Sequence, residues 1–206
     1  MTATPQTSPV PARPGRPRSA RADKAILEAT LDLLAEEAGV AGVSMEAVAA
    51  RAGVGKTTVY RRWPNKERLI VDALAALKHP LPELAGRSVR EDLLTLARSI
   101  GADHADRRSR CVWNVLGGFD RHPELLARYR QEVIEPRREV VRGVLRRGVA
   151  TGELRPDLDI EVAVTMLVGA MTLQGRAPAP PPADPAGAAG RLAEGVVDAL
   201  LRGIAA

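Results

Sequence analysis

Residues 43–66 run V-S-M-E-A-V-A-A-R-A-G-V-G-K-T-T-V-Y-R-R-W-P-N-K. Ser44 is a good helix N-cap, because its hydroxyl can accept a backbone N–H that the first turn leaves unpaired. Met45, Val48 and Ala49 then recur at i, i+3 and i+4, the spacing of one helix face, and Arg51 points away. Ala52-Gly53-Val54-Gly55 makes a turn in which Gly53 is free to take positive φ. A second short helix, Lys56 to Trp63, ends at Pro64. Val54 and Val59 are expected to pack inward and hold it steeply against the first. Lys56, Thr57, Thr58, Tyr60, Arg61 and Arg62 all carry donors, and most of this face is left for a partner. A helix, a glycine turn and a donor-rich second helix are the parts of a helix-turn-helix, whose second helix enters the DNA major groove. Asn65 caps the next helix, and Lys66 in its first turn can meet a phosphate with help from the helix dipole.

The same letters hold G-V-G-K-T-T, which invites a different reading as a phosphate-binding loop of a nucleotide hydrolase. That motif needs Gly, four residues, then Gly-Lys-Ser/Thr, and Gly55-Lys56-Thr57 is preceded at the required place by Ala50. It also follows a buried strand, whereas 44–52 is patterned as a helix and contains charges. Leu69-Ile70-Val71-Asp72 imitates the strand that carries the second nucleotide motif. It leaves no room for the crossover helix of a βαβ unit. The phosphate-loop reading fails on both flanks.

Working outward, Ala22 to Ala38 is patterned as a helix, with Ile26, Leu27, Thr30, Leu31, Leu33 and Leu34 at helical spacing and Gly39 placed to end it. On the other side, Asn65 to Lys78 puts Leu69, Ile70, Ala73, Leu74 and Leu77 on one apolar face. His79-Pro80-Leu81-Pro82 then breaks the helix, and a domain boundary is expected there. Residues 1–18 are Pro-rich and poor in large apolar side chains, so a basic arm over 1–19 is expected to be disordered. Gly15-Arg16-Pro17-Arg18 could lie in a narrow minor groove, though a solvated tail is the plainer reading.

With these residues in place, 22–78 resemble the N-terminal domain of the TetR (tetracycline repressor) family of bacterial transcriptional regulators. The similarity rests on A-I-L-E-A-T-L-D-L-L-A-E-E-A-G and on S-M-E-A-V-A-A-R-A-G-V-G-K-T-T-V-Y-R-R-W-P-N-K-E-R-L-I. Val-Tyr-Arg-Arg-Trp-Pro-Asn-Lys-Glu is its most characteristic run. The resemblance covers a little over a quarter of the chain. It implies an all-helical homodimer that binds a palindromic double-stranded DNA operator through its third helix and is released by a small ligand. Carried over by position, Ser44, Tyr60 and Lys66 would hold phosphates, while Lys56, Thr57, Thr58 and Arg61 would lie at or near bases. Gly55 stands where many relatives have Ser, so one capping hydroxyl is absent.

Composition agrees with this reading. The chain has 206 residues, enough for one or two domains, and aromatics make up 2% of it, so helix packing is favoured over a sheet core. Residues 1–80 hold 12 Lys/Arg against 8 Asp/Glu, and 81–206 hold 18 against 17. A basic first part on a near-neutral remainder points to a polyanion met by the N-terminal region. One cysteine, Cys111, excludes an intrachain disulfide and suits a reducing cytosol. The N-terminus lacks the apolar run of a secretory signal. The longest charge-free run, Val162 to Gly175, has 14 residues against the roughly 20 of a membrane-spanning helix. A cytoplasmic protein is expected.

From Val89 the helical pattern resumes through Leu93, Leu94, Leu96, Ala97 and Ile100. Cys111 to Phe119 follows, then a long helix from Pro123 to about Ala150 in which Pro136 predicts a kink. Asp159 can cap a helix over Ile160–Leu173 that is apolar nearly all round. Ala177 to Pro185 is a Pro-rich loop. The last helix, Leu192 to Ile204, repeats Leu192, Val196, Leu200 and Ile204 at intervals of four. The last two helices together suit a four-helix homodimer interface. Leu94, Trp113, Leu116, Phe119, Tyr129, Met166 and Met171 are the candidates for sensing an apolar or amphipathic small-molecule effector, although each alone reads first as core. Cys111 among Arg107, Arg108 and Arg110 has a setting that favours a thiolate, with a buried small hydrophobe the plainer reading.

His79, His104 and His122 do not make metal-ligand spacing, and no Ser–His–Asp order or supported carboxylate pair stands out. No catalytic residue, metal or cofactor is therefore expected, and no membrane contact. The expected architecture is all-α with about nine helices. A three-helix DNA-binding domain spans 20–80, with the helix-turn-helix at 43–63, and a ligand-binding and dimerisation domain spans 81–206.

Overall fold

The computed structural model describes residues 20–36, 39–105, 121–173 and 185–204. Among these residues the secondary structure is helical, with no β-strand. The arm over 1–19 and the stretch 106–120, with Cys111, Trp113, Leu116 and Phe119, lie outside the described residues.

Helix α1 (Ala20–Ala35) buries Ile26, Ala29, Leu31, Leu33 and Leu34. Thr30 is buried with them, and its hydroxyl donates back to the Ile26 carbonyl at 2.8 Å, so no polar group is stranded. The helix stops before the expected Ala38. Gly39 does take positive φ, 51°, but it opens a separate helical turn, α2 (Gly39–Gly42), instead of closing α1.

Helices α3 (Met45–Ala52), α4 (Lys56–Tyr60) and α5 (Lys66–Ala75) complete the first core. Leu69, Ile70 and Leu74 of α5 are fully buried, each worth roughly 1.5–3 kcal/mol of transfer free energy. That core does not end with α5. It also takes in Leu125 and Tyr129 of α7 (Pro123–Tyr129) and Val133 in the turn that follows.

The second core is built from α6 (Val89–Ala105), α8 (Glu135–Thr151), α9 (Ile160–Leu173) and α10 (Pro185–Ile204). Leu93, Leu96, Leu145, Leu154, Leu167 and Met171 sit at its centre. Gly148 lets the chains approach closely here: a Cβ on it would lie 2.6 Å from Val89 Cγ2 and 2.8 Å from Leu154 Cδ1. The last helix begins at Pro185, earlier than the expected Leu192, because proline is well suited to a first helical turn.

Between α7 and α8 the chain widens into a π turn, Arg130–Ile134, in which the Glu135 N–H reaches back five residues to the Arg130 carbonyl. Pro136 explains it. Proline has no N–H, and its ring would strike the carbonyl four residues back in a regular helix. The kink expected at Pro136 is taken up as this widened turn.

Candidate nucleic-acid interface and ligand cavity

The two arms of the helix-turn-helix are held by local caps. Ser44 is extended (φ −131°, ψ 154°) and its Oγ accepts the Ala47 N–H at 3.0 Å. Gly53 closes α3 in the left-handed conformation, φ 66°. Asn65 Oδ1 accepts the Arg68 N–H at 2.8 Å and starts α5. Gly55 occupies the cap position of α4 and supplies no side-chain bond.

Helix α4 is shorter than expected and ends at Tyr60, with Arg61 and Arg62 in the turn beyond it. Val59 and Trp63 are its buried anchors. The Trp63 indole N–H donates to Asp72 Oδ2 at 2.9 Å and ties the turn to α5. Arg62, expected among the free donors, is instead an internal brace. Its guanidinium is nearly buried, is paired with Asp23 of α1 and donates to the Thr58 carbonyl at 3.0 Å. Ser44, Lys56, Thr57, Tyr60 and Arg61 are exposed, and Thr58 and Lys66 are half-buried.

One participant was missed in the sequence. Glu46, in the first turn of α3, accepts the Tyr60 hydroxyl at 3.2 Å and lies 3.8 Å from Lys56 Nζ. Partial burial and this carboxylate hold the Tyr60 phenol above its ordinary range. Glu46 thus fixes two α4 side chains from the facing helix. Its position shows only once the crossing of α3 and α4 is known, because nothing in the local pattern distinguishes it from a solvated acid.

A cavity of about 350 Å³ lies among α6, α7, the π turn, α8 and α9. Leu96, Ile100, Leu126, Ile134, Val141 and Val168 give it apolar walls, and Lys78, Asp103, Tyr129, Arg130, Arg137 and Arg138 add polar groups. Asp103, at the end of α6 and almost fully buried, is the hub of the polar set. It accepts the His79 backbone N–H at 2.8 Å, faces His79 Nδ1 at 2.9 Å, and pairs with Arg137 at 3.2 Å and Lys78 at 3.9 Å. Arg137 also donates to the His79 carbonyl. Burial lowers the Lys78 ammonium, against the pull of Asp103, and burial raises the Tyr129 phenol. Tyr129 belongs to both the cavity wall and the first core. Arg68 of α5 reaches Glu132 of the π turn at 2.7 Å. The cavity and the DNA-facing unit therefore share a wall.

Of the residues proposed from sequence to sense a ligand, Tyr129 lines this cavity. Leu94 packs against the second core, Met171 is fully buried within it, and Met166 is 55% exposed on α9. Helix α9 is apolar on nearly every side, so periodicity does not say which side faces in. The polar wall residues carried no sequence signal, since Lys78, Asp103 and the Arg137-Arg138 pair are far from one another along the chain.

Gly55-Lys56-Thr57 follows helix α3, not a strand, which removes the context a phosphate loop requires. No group of three or more His, Cys, Asp or Glu among the described residues could hold a metal ion. No helix among them is long and apolar enough to cross a membrane.

Comparison with known proteins agrees with both halves of this architecture. The family model for bacterial regulatory proteins, tetR family, matches residues 26–73, and that for the tetracyclin repressor-like C-terminal domain matches residues 85–200. The chain is 36% identical over 158 residues to the uncharacterised HTH-type transcriptional regulator YdeS of Bacillus subtilis (strain 168), covering 75% of this chain and 78% of that protein. It is 30% identical over 196 residues to the DNA-binding transcriptional repressor TetR of Mycobacteroides abscessus, covering 91% and 96%. Among solved structures, NalD of Pseudomonas aeruginosa, the secondary repressor of a multidrug efflux pump, superposes with a TM-score of 0.67 at 20% identity, covering 90% of this chain and 97% of NalD.

Proposed function

The chain belongs to the TetR family of bacterial transcriptional regulators, and we propose that it binds a palindromic operator as a homodimer, represses from there, and is released by a small apolar or amphipathic effector. The observation that carries the DNA half is the α4 surface. Lys56, Thr57, Tyr60 and Arg61 are left open to solvent while Val59, Trp63 and Arg62 fasten the helix from beneath. Fixed donors on a rigid element are what groove recognition needs. In this reading Ser44, Tyr60 and Lys66 grip phosphates, and Lys56, Thr57, Thr58 and Arg61 lie at or near bases. The protein works in the cytoplasm, as a binding protein and not an enzyme.

The dimer reading is supported by α9. Val162, Met166 and Leu173 are each more than half exposed and recur at helical spacing, with Leu192 of α10 also exposed. Such a stripe on a soluble regulator fits a second copy of the chain, which would space two α4 helices for a two-fold site. Met166→Glu should then yield monomers in sedimentation. The cavity, apolar with a few buried polar groups, is the effector site in this reading. Tyr129 and Glu132 offer the route from it to α5.

Selection of an operator from random duplex DNA, followed by mobility shifts, tests the reading. Lys56→Ala and Arg61→Ala should each weaken binding about tenfold or more without changing the oligomeric state. Unchanged affinity in both would remove α4 from the interface. Binding should also fall steeply with salt, because phosphate contacts release counterions.

A further inference from the structure

Two buried side-chain atoms lack a hydrogen-bond partner among the described residues: the Tyr129 hydroxyl and Arg138 Nε. Both belong to residues that line the same cavity. Tyr129 is 2% exposed, so bulk water does not reach its hydroxyl. Arg138 does have neighbours elsewhere on its guanidinium. Its Nη2 donates to Thr165 Oγ1 at 3.1 Å and lies 3.5 Å from Glu161, and Glu135 stands 3.8 Å from Nε, beyond hydrogen-bond reach. Neither Glu135 nor Glu161 lines the cavity. Among the described residues Asp103 is the one carboxylate that does, against four cationic side chains, Lys78, Arg130, Arg137 and Arg138, of which Arg130 also has Glu135 at 3.7 Å.

These facts constrain an occupant. An arginine Nε–H can only donate, so whatever satisfies it must be an acceptor. A buried acceptor facing a wall with excess positive charge is most stable when ionised, because charge-assisted bonds in a dry site are the strong ones. The rest of the cavity is mostly apolar: Leu96, Ile100, Leu126 and Val168 stand beside the hydroxyls of Ser99, Thr165 and Thr172, and this apolar stretch suits hydrocarbon.

We propose that the cavity is built for an amphipathic carboxylic acid. Its carboxylate takes the Tyr129 hydroxyl and the Arg138 Nε–H, and its hydrocarbon part lies against Leu96, Ile100, Leu126 and Val168. The inference rests on the reading of this cavity as the effector site and names the chemistry of what enters it. A carboxylate placed there also competes with Asp103 for Arg137, which holds the His79 carbonyl at the exit from α5.

The test uses the full chain and three probes that share one alkyl chain: decanoate, 1-decanol and decylamine. Calorimetric titration should show decanoate binding at least about tenfold tighter than decanol, the size of one hydrogen bond to a charged group, and no binding of the amine. Tyr129→Phe should weaken decanoate about tenfold and leave decanol unchanged, which also reports that the cavity is still folded. Arg138→Met should do the same through the other donor. Equal affinity for decanol and decanoate, or decanoate binding untouched by both substitutions, overturns the proposal. If decanol alone binds and also frees operator DNA, the acid is wrong while the effector site stands. If no probe binds but DNA is released by an unrelated compound in the presence of Ile100→Trp, both the acid and this cavity as effector site are removed.

Discussion

The DNA-facing unit and the cavity wall use the same side chains to opposite ends. Between residues 44 and 66 the helix caps are satisfied by neighbours a few positions away, as Ser44 is by Ala47 and Asn65 by Arg68, and Lys56, Thr57 and Arg61 stand in solvent. Around the cavity Asp103, Lys78 and Arg137 are largely buried and meet across the chain, with the more exposed His79 beside them. An exposed lysine costs the fold almost nothing, so the interface can keep free donors for a ligand as large as DNA. A buried carboxylate must be paired or the protein loses stability. The cavity is therefore the place where ligand response and stability draw on one set of bonds.

Asp103→Ala should produce the largest effect. It leaves Arg137 and Lys78 without their carboxylate and the His79 N–H without an acceptor, and removing one member of a buried ion pair costs about 3–5 kcal/mol. Urea denaturation measures it directly. A loss under about 1 kcal/mol, the size of an exposed pair, would place Asp103 with the surface charges and erase the contrast. Gly148→Ala should follow, at about 1–3 kcal/mol, because the new methyl meets Val89 and Leu154 in a packed layer with little room to shift. It tests whether the second core is as tightly specified as its close approach suggests. Operator affinity of the remaining folded protein should be unchanged.

On the DNA side the substitutions should separate differently. Ser44→Ala removes the cap of α3 and should cost about 1 kcal/mol of stability, with operator affinity falling as well if the hydroxyl also serves a phosphate. A stability loss with unaltered DNA binding would restrict Ser44 to capping. Lys56→Ala and Arg61→Ala, by contrast, should leave the urea midpoint within about 0.5 kcal/mol while binding collapses. That dissociation of effects is what distinguishes the two regions.

The contrast also explains what could be read in the sequence. The caps Ser44 and Asn65, the Gly53 turn and the inward Val59 are set by residues within a few positions of one another, so the chain order displays them. Arg62 did not follow from its position, because its partner Asp23 lies on α1 and looks like one more solvated acid. Glu46 escaped for the same reason. In the second half, helix after helix could be placed from apolar spacing, but α9 is apolar on nearly every side and its outward-facing Met166 could not be told from its buried Met171. The cavity was out of reach because its polar residues, from Lys78 to Arg138, are brought together by packing alone. Pro136 announced an irregularity, and only the backbone shows that it is a π turn beside that cavity.

The smallest expected effect lies on the outer surface, where Arg142 of α8 bonds to Glu161 of α9 and to Glu135 and Glu139 on its own side. The Arg142 guanidinium holds the Glu161 carboxyl below the usual carboxylate range, and Arg146 does the same for Glu139. A carboxyl whose folded pKa is lowered stabilises the fold above its unfolded value of about 4.3 and loses that contribution as pH falls through the folded value. Thermal midpoints of the wild type and Glu161→Gln should therefore differ slightly at pH 7 and converge as the pH approaches 3. Added salt at pH 7 should shrink the gap too, since the Glu161 carboxylate faces solvent. A gap that persisted in acid would mean that Glu161 acts through packing instead of charge, and that the α8–α9 contact depends on its buried side, Val141, Val164 and Leu167, more than on this outer network.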